Sequence, residues 1–363
     1  MMKVKVALGN RSYDILIGRG LFKKTGGLLK RLDLGNDAVI VTNRRIFNLY
    51  GNTLAVILKK SGFTAAFAIV PDSEKAKSSA TATSLLNRIA AHDSYRRIFL
   101  IALGGGVIGD LTGFVASIYK RGIAYVQIPT TLLAQVDSAI GGKTAIDLPA
   151  AKNLAGAFYQ PKAVLCDIAI LKSLPERQIK NGMAEIIKYG VIKERALFEF
   201  VEKNHAKILG AEPAALEFVV SRCARIKAGL VSKDEFDRKS LRAILNLGHT
   251  VGHAIEAASA YSGRYDHGKA VAIGMAAAAD MAVRLRILSP ADAGRINALI
   301  EECGLPVRAK GLSVSRICGA LAHDKKFIRG RNRFVLPAAI GRTRIVEGIP
   351  QHIVKETIAG RLA

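Results

Sequence analysis

The first half of the chain alternates apolar, β-branched segments with helical patterns, and this alternation constrains the fold more than any other feature. Helical patterns such as 45–61 and 78–91 separate segments that read as strands. Strands are predicted at 4–7, 13–17, 38–41, 66–70, 98–103, 124–127 and 163–166. Such an order is typical of βαβ units on a mainly parallel sheet.

After residue 175 the strand signal fades. Long helical patterns dominate 176–286 and 290–304, and a short β-like tail follows at 333–336 and 344–346. The sequence therefore predicts an α/β N-terminal Rossmann-like domain with a mainly parallel sheet, at 1–175, and a mostly α-helical C-terminal domain, at 176–363. At 363 residues the chain is long enough for two domains that each bury a core.

Composition favours a soluble cytoplasmic enzyme. No apolar run reaches the length of a membrane span, and the N-terminal residues lack the apolar core of a signal peptide. The cysteines are scattered at Cys166, Cys223, Cys303 and Cys318, with no CxxC pair. We expect buried thiols in a reducing compartment rather than a disulfide framework or a zinc knuckle.

The formal net charge of +25 raises the hypothesis of a nucleic-acid partner. Lys and Arg are spread along the whole chain, however, with no basic tail or aromatic-interleaved basic motif, and Trp is absent. A generally basic surface is therefore favoured over nucleic-acid binding. Attraction of an anionic small substrate, or of another polyanion, stays open.

Two segments carry the chemistry of a divalent metal site: GMAEIIKYG at 182–190 and LNLGHTVGHAIE at 245–256. Imidazole nitrogen and carboxylate oxygen suit Zn²⁺, and three protein ligands leave a coordination position for water or substrate. His249 and His253 stand four apart, on one face of a helix, and could bind with Glu185. His267, in YDHGKAVAIGM, is the competing ligand, and the residues alone leave this choice open.

A glycine loop follows the strand predicted at 98–103. Gly104, Gly106 and Gly109 fit G-x-G-x-x-G and open a helix, so backbone N–H groups could hold a pyrophosphate. The dinucleotide fingerprint is incomplete, because no acidic residue stands about 20 positions later. Glu74, in PDSEKAKS, is an alternative ribose ligand. A tight turn with close helix packing explains the glycines equally well.

Polar residues are dense in an otherwise apolar span. They are Lys120, Arg121, Thr130, Thr131, Asp137, Lys143, Thr144, Lys152 and Asn153. Charges placed between buried-looking runs need partners, and a bound anion is a natural one. A solvated surface lysine is the alternative at each position; for Lys143 and Lys152, beside Gly and Asn turns, contact with substrate or phosphate is favoured.

Taken together, these motifs resemble the 3-dehydroquinate synthases of the shikimate pathway, from about residue 13 to 341. The matching blocks are GGGVIGDLTGFVAS, YKRG, IPTTLLAQVDSAIGGKTAID, KNLAGAFYQP, LP with GMAEIIKYG, LRAILNLGHTVGHAIE, HGKAVAIGM and DKK with RFVLP. The resemblance implies an NAD-dependent Zn²⁺ or Co²⁺ enzyme. Its metal ligands would be Glu185, His249 and His267, with His253 as a further polar residue of the active site.

The resemblance also implies the other site residues. The NAD site is expected at Asn43, Glu74, Lys77, Gly105, Gly106, Asp110, Thr130 and Thr131, on the N-terminal domain. Catalytic roles are expected for Lys143, Lys152, Asn153, Lys188 and His253. Further substrate contacts are expected from Arg121, Asp137, Lys227, Arg242, Asn246 and one of Lys325 or Lys326. A homodimer is common in the family. Ser73 and Ile168 depart from its usual pattern, which would alter NAD affinity at most.

The implied reaction converts 3-deoxy-D-arabino-heptulosonate 7-phosphate to 3-dehydroquinate and phosphate. It combines transient oxidation by NAD⁺, phosphate β-elimination, return of the hydride and intramolecular aldol closure. Two alternatives share much of this chemistry: a cyclase for another sugar phosphate, such as a 2-deoxy-scyllo-inosose or valiolone-type synthase, and a metal-dependent polyol dehydrogenase.

Overall fold

The computed structural model describes residues 1–93, 97–149, 151–322 and 332–362. The strands are β1 Met2–Val6, β2 Tyr13–Gly18, β3 Asp37–Asn43, β4 Thr64–Val70, β5 Ile98–Gly104, β6 Tyr125–Pro129, β7 Lys143–Leu148, β8 Ala151–Phe158, β9 Ala163–Asp167, β10 Arg333–Ala339 and β11 Arg342–Glu347. The helices are α1 Thr25–Leu32, α2 Arg44–Ile46, α3 Asn52–Lys60, α4 Ser79–His92, α5 Gly106–Ile118, α6 Glu176–Lys193, α7 Arg195–Leu209, α8 Pro213–Lys233, α9 His249–Ala258, α10 His267–Arg284, α11 Pro290–Glu302, α12 Val314–Ala322 and α13 Gln351–Gly360.

Seven strands form one sheet in the order β1-β2-β9-β6-β5-β3-β4. Every neighbouring pair is parallel except β1 with β2. Strands β3, β5, β6 and β9 are buried along their whole length, because helices cover both faces of a parallel sheet. The predicted fold class and all seven predicted strands of this sheet are confirmed.

The order of the strands reverses at β3. The chain runs from β3 to β4 on one side and then returns to β5 on the other side of β3. In open parallel sheets, ligands bind in the crevice outside the carboxyl ends of the strands, where the order reverses. This topology therefore marks the carboxyl ends of β3 and β5 as a binding position.

The hairpin of β7 and β8 was not predicted. Its strands pair antiparallel in a two-stranded sheet of their own. Ile146 points into the same apolar cluster as Val115 and Tyr125. A Cβ on Gly113 of α5 would lie 2.4 Å from Thr144 Cγ2, so the helix and the hairpin pack closely. The charged and small residues of the hairpin interrupt the apolar pattern by which a strand is predicted.

The chain forms two compact units, and the first takes a piece from the second half of the sequence. One unit contains 1–174 together with 216–236, and the other contains 175–215 together with 237–363. The second unit carries α6, α7, α9–α13 and the β10–β11 hairpin. The functional division of the chain at residue 175 stays a prediction. Among the described residues, no helix has both the length and the apolar content needed to cross a bilayer.

Candidate active site

Two histidines and a glutamate of the second unit come together. Glu185 lies on α6, and His249 and His267 are the first residues of α9 and α10. His267 Nε2 is 3.1 Å and His249 Nε2 is 3.6 Å from Glu185 Oε1, and one ligand atom from each residue lies within 4.8 Å of the others. The Glu185 side chain is fully buried. This is the set of residues that the family resemblance implied.

Glycine packing sets the position of the two histidines. Gly248 has φ +79°, in the left-handed region that favours glycine, and it turns the chain directly before His249. A Cβ on Gly274 of α10 would lie 1.9 Å from the Gly248 carbonyl oxygen, and one on Gly252 would lie 2.9 Å from Ala270 O. Helices α9 and α10 can approach this closely only because these residues lack side chains.

Local hydrogen bonds orient the ring of His249 and fix the start of the helix that carries His267. His249 Nδ1 lies 3.1 Å from Leu247 O, which leaves Nε2 directed toward Glu185. Bonding of the second ring nitrogen to a carbonyl oxygen is the usual way in which a metal-ligating histidine is oriented. At α10, Asp266 Oδ1 accepts a hydrogen bond of 3.2 Å from Lys269 N and caps the helix that begins with His267.

A buried lysine balances the charge of Glu185. Lys188, one helical turn along α6, has a side chain 2% exposed, and its Nζ pairs with Glu185 Oε2. Burial by itself lowers the pKa of His267, but the hydrogen bond and the charge of Glu185 outweigh it, so the pKa of His267 is raised. The buried carboxylate thus favours positive charge at His267 Nε2. Two imidazole nitrogens and one buried carboxylate oxygen fit a divalent cation such as Zn²⁺.

His253 occupies a different position from the other ligand candidates. Its ring is exposed and lies 5.3 Å, centroid to centroid, from the ring of His249. It groups instead with Glu256 and His267, which form a second set of possible ligand atoms within 4.8 Å. Glu256 was not predicted as a site residue, although its spacing of three from His253 places both on one helix face.

The residues expected to bind NAD lie where the topology marks a binding position. Asn43 ends β3, Glu74 and Lys77 follow β4, Gly105 and Gly106 follow β5, and Thr130 and Thr131 follow β6, while Asp110 lies in the second turn of α5. They meet at the carboxyl edge of the sheet because those strands are parallel.

At the start of α5, neighbouring side chains leave no room for a Cβ on Gly105 or Gly106. A Cβ on Gly106 would lie 2.9 Å from Ser138 Oγ, and one on Gly105 would lie 3.1 Å from Thr131 Cγ2. Thr130 Oγ1 is buried here without a hydrogen-bond partner among the described residues. Free N–H groups at a helix N-terminus suit an anion, so this loop fits the pyrophosphate of a dinucleotide.

Lys77 is the charged centre of this region. Its side chain is 4% exposed, its Nζ lies 2.8 Å from Asp110 Oδ2, and it also donates to Asn153 Oδ1. Burial lowers the pKa of Lys77, but the charge and hydrogen bond of Asp110 outweigh it and the pKa is raised. The ammonium therefore keeps its charge. Asn43 is held by Asp72, to which its Nδ2 donates at 2.6 Å.

The expected substrate residues divide between the two units. In the first, Lys227 Nζ lies 2.8 Å from Asp137 Oδ1, and Arg121 and Lys143 are exposed. Lys152 and Asn153 lie on β8. In the second unit, Lys188 and Arg242 are buried, Asn246 is half-buried and His253 is exposed. Lys325 and Lys326 lie outside the described residues.

Comparison with known families covers most of the chain. The family described as 3-dehydroquinate synthase N-terminal matches residues 67–181, and 3-dehydroquinate synthase C-terminal matches residues 182–327. A 3-dehydroquinate synthase of Pelotomaculum thermopropionicum is 46% identical over 360 residues, covering 99% of this chain and 96% of the relative. One of Desulforamulus reducens is 46% identical over 352 residues, covering 97% and 98%.

Solved structures of two other enzymes are also similar. A 2-deoxy-scyllo-inosose synthase complexed with carbaglucose-6-phosphate, NAD⁺ and Co²⁺ has a TM-score of 0.90 and 27% identity, covering 99% of this chain and 100% of that one. A 2-epi-5-epi-valiolone synthase from Streptomyces hygroscopicus subsp. jinggangensis, with NAD⁺ and Zn²⁺ bound, has a TM-score of 0.88 and 27% identity, with 98% of each chain covered. A glycerol dehydrogenase from Schizosaccharomyces pombe, at 16% identity, shares the fold alone.

Proposed function

The chain belongs to the 3-dehydroquinate synthase family, and we propose that the residues assembled above carry out that family's reaction. It converts 3-deoxy-D-arabino-heptulosonate 7-phosphate to 3-dehydroquinate and phosphate. The observation that carries this proposal is the convergence of Glu185, His249 and His267 in a chain 46% identical, over almost its full length, to enzymes of that name.

Glu185, His249 and His267 would hold the divalent cation, Zn²⁺ or Co²⁺. When bound, such an ion polarises a substrate oxygen and makes a hydroxyl group easier to deprotonate. Lys188 would keep one oxygen of Glu185 paired, so that the buried carboxylate holds a fixed position. The close packing of Gly248 against Gly274 would keep His249 and His267 at one separation while ligands exchange.

NAD would bind at the carboxyl edge of the sheet and supply a transient hydride acceptor. Backbone N–H groups at Gly105 and Gly106 would bind its phosphates, and the buried Lys77 ammonium, paired with Asp110, would donate a hydrogen bond. Glu74 would accept hydrogen bonds from a ribose. The buried Thr130 hydroxyl, which has no hydrogen-bond partner among the described residues, supports a bound group at this position.

The substrate is a dianion or trianion, because it carries a phosphate and a carboxylate. Lys143, Lys152 and Arg121 would supply compensating charge. Lys227 is already matched by Asp137, so this pair would orient the substrate through hydrogen bonds rather than bind it by charge. Holding the two reacting ends close would assist the final ring closure.

A cyclase acting on another sugar phosphate is the alternative, because two solved structures with TM-scores of 0.90 and 0.88 to this chain are such enzymes. Those enzymes are 27% identical to this chain, whereas the 3-dehydroquinate synthases are 46% identical. Polyol dehydrogenase activity has only the shared fold in its favour.

The homodimer, the cytoplasmic location and the lack of a nucleic-acid partner stay predictions. Light scattering would measure the oligomeric state.

Turnover of the purified protein tests the function directly. Phosphate release and dehydroquinate formation would be followed from 3-deoxy-D-arabino-heptulosonate 7-phosphate, with catalytic NAD⁺ and with or without added Zn²⁺. Equal amounts of both products, with no net NADH, are expected. A folded, metal-loaded protein that releases no phosphate would instead favour a cyclase for another sugar phosphate, and accumulating NADH would favour a dehydrogenase.

Replacing Lys152 by alanine should weaken substrate binding far more than NAD binding. Loss of one charged contact should raise KM for the sugar phosphate about 10- to 100-fold. Steady-state kinetics and NAD titration would measure the two effects, with Lys162→Ala as a control, since Lys162 is an exposed lysine of the same unit. Equal losses in both affinities would contradict the role assigned to Lys152.

A further inference from the structure

The β7–β8 hairpin contains an irregularity at Asp147. Ile146 pairs with Ala155 and Leu148 pairs with Ala151, so residues 152–154 of β8 stand opposite Asp147 alone. Extra residues on one strand bend that strand and redirect its side chains. The bulge therefore decides where the side chains of Lys152 and Asn153 point.

Asn153 adopts a left-handed backbone conformation within the bulge, with φ +53°. Asn tolerates this region better than most residues, but the conformation still needs support from its surroundings. Asp147 supplies it: Asn153 N donates to Asp147 Oδ1 at 2.8 Å. A side chain on one strand thus holds the backbone of the other.

Asp147 also connects the bulge to the residues that follow β4. Its backbone N–H donates to Lys77 O at 2.7 Å, and Lys77 Nζ donates to Asn153 Oδ1. The hydrogen bonds among Asp147, Lys77 and Asn153 form a closed ring. Lys152 Nζ lies 4.0 Å from Glu74 Oε1, and the same oxygen lies 3.9 Å from Lys77 Nζ.

We propose that Asp147 is a positioning residue, which sets the bulge so that Lys152 and Asn153 meet the substrate beside the cofactor residues Glu74 and Lys77. This inference rests on the proposed function for the identity of the two ligands. The placement of the Asn153 backbone by Asp147 is independent of it. Asp147 itself needs no contact with substrate, because it acts through the two residues that it holds.

Two substitutions distinguish the effect of the hydrogen bond to Asn153 N from the effect of the negative charge of Asp147. Asp147→Asn keeps an acceptor oxygen for Asn153 N, whereas Asp147→Ala removes it; both keep the backbone bond to Lys77. Asp147→Ala should raise KM for the sugar phosphate about tenfold and change NAD affinity less, and Asp147→Asn should stay within about threefold of the wild type. Asp33→Asn is the control, because it removes an 87% exposed carboxylate of the same unit.

Hydrogen exchange of the hairpin gives a readout that does not need turnover. Peptides covering residues 148–158 should exchange about tenfold faster in Asp147→Ala than in the wild type or in Asp147→Asn. A lower kcat with unchanged KM would overturn the proposal, because a merely structural role lowers only the fraction of active enzyme. Equal hydrogen exchange in all variants would overturn it as well. A wild-type protein inactive on the sugar phosphate would refute the proposed function, and exchange would still decide whether Asp147 places Asn153.

Discussion

Replacing His267 by alanine is expected to abolish tight metal binding and turnover while leaving the fold intact. Loss of residues that only orient metal ligands costs about 10- to 100-fold in affinity, so loss of a ligand should exceed 100-fold. The fold should survive because Asp266 still caps α10 through Lys269 N and because Lys188 still pairs with the buried Glu185.

Metal content after dialysis against a defined free Zn²⁺ concentration would measure the first effect, and phosphate release the second. Circular dichroism would establish that the helices remain. His352→Ala is the matched control, because His352 is an exposed histidine of the same unit and should leave metal content unchanged. A His267→Ala protein that is metal-loaded and fully active would contradict the ligand assignment.

The parallel sheet could be predicted because its central strands are buried on both faces. Strands such as Ile98–Gly104 are buried at every residue, so their short apolar runs stand out from the polar helices around them. The β7–β8 hairpin could not be recognised in this way. Its Lys143, Asp147 and Lys152 interrupt any run, and its strand character depends on packing against Gly113 and on the bulge.

The metal ligands show a second limit of prediction from the sequence. Local spacing favoured His249 with His253, because residues four apart share a helix face. The chain instead brings His267 to Glu185, where Gly268 N donates to Asn181 Oδ1 of α6, a contact that no local pattern reveals. Only the family resemblance pointed to this set, since it carries information about tertiary contacts that one sequence lacks.

The assignment of 216–236 to the first unit is a third example. Most of α8 lies in a region whose helical pattern continues from its neighbours, so the sequence gives no reason to separate it. Its partners are distant in the chain: Lys227 pairs with Asp137, and Glu235 with Arg11. These contacts join residues 90 or more positions apart. The periodicity of a sequence does not predict contacts over such separations.

Replacing Gly274 by alanine is expected to cause a large loss of stability in the second unit. The new Cβ would lie 1.9 Å from the Gly248 carbonyl oxygen, a backbone atom that cannot move away by rotating a side chain. Overpacking typically costs about 1–3 kcal/mol, and a clash with backbone should reach about 3 kcal/mol or more. Metal affinity should fall as well, because Gly248 directly precedes His249.

Thermal unfolding of the two alanine variants, Gly274→Ala and Gly294→Ala, isolates this effect. Gly294 is an exposed glycine within α11, and a Cβ there has no neighbour within 4 Å, so alanine should stabilise the helix by about 0.5–1 kcal/mol. Gly274→Ala should instead lower Tm by about 5–10 °C and reduce bound Zn²⁺. If Gly274→Ala matched Gly294→Ala in Tm and kept its metal, the close contact of α9 with α10 would not be what places His249 beside His267.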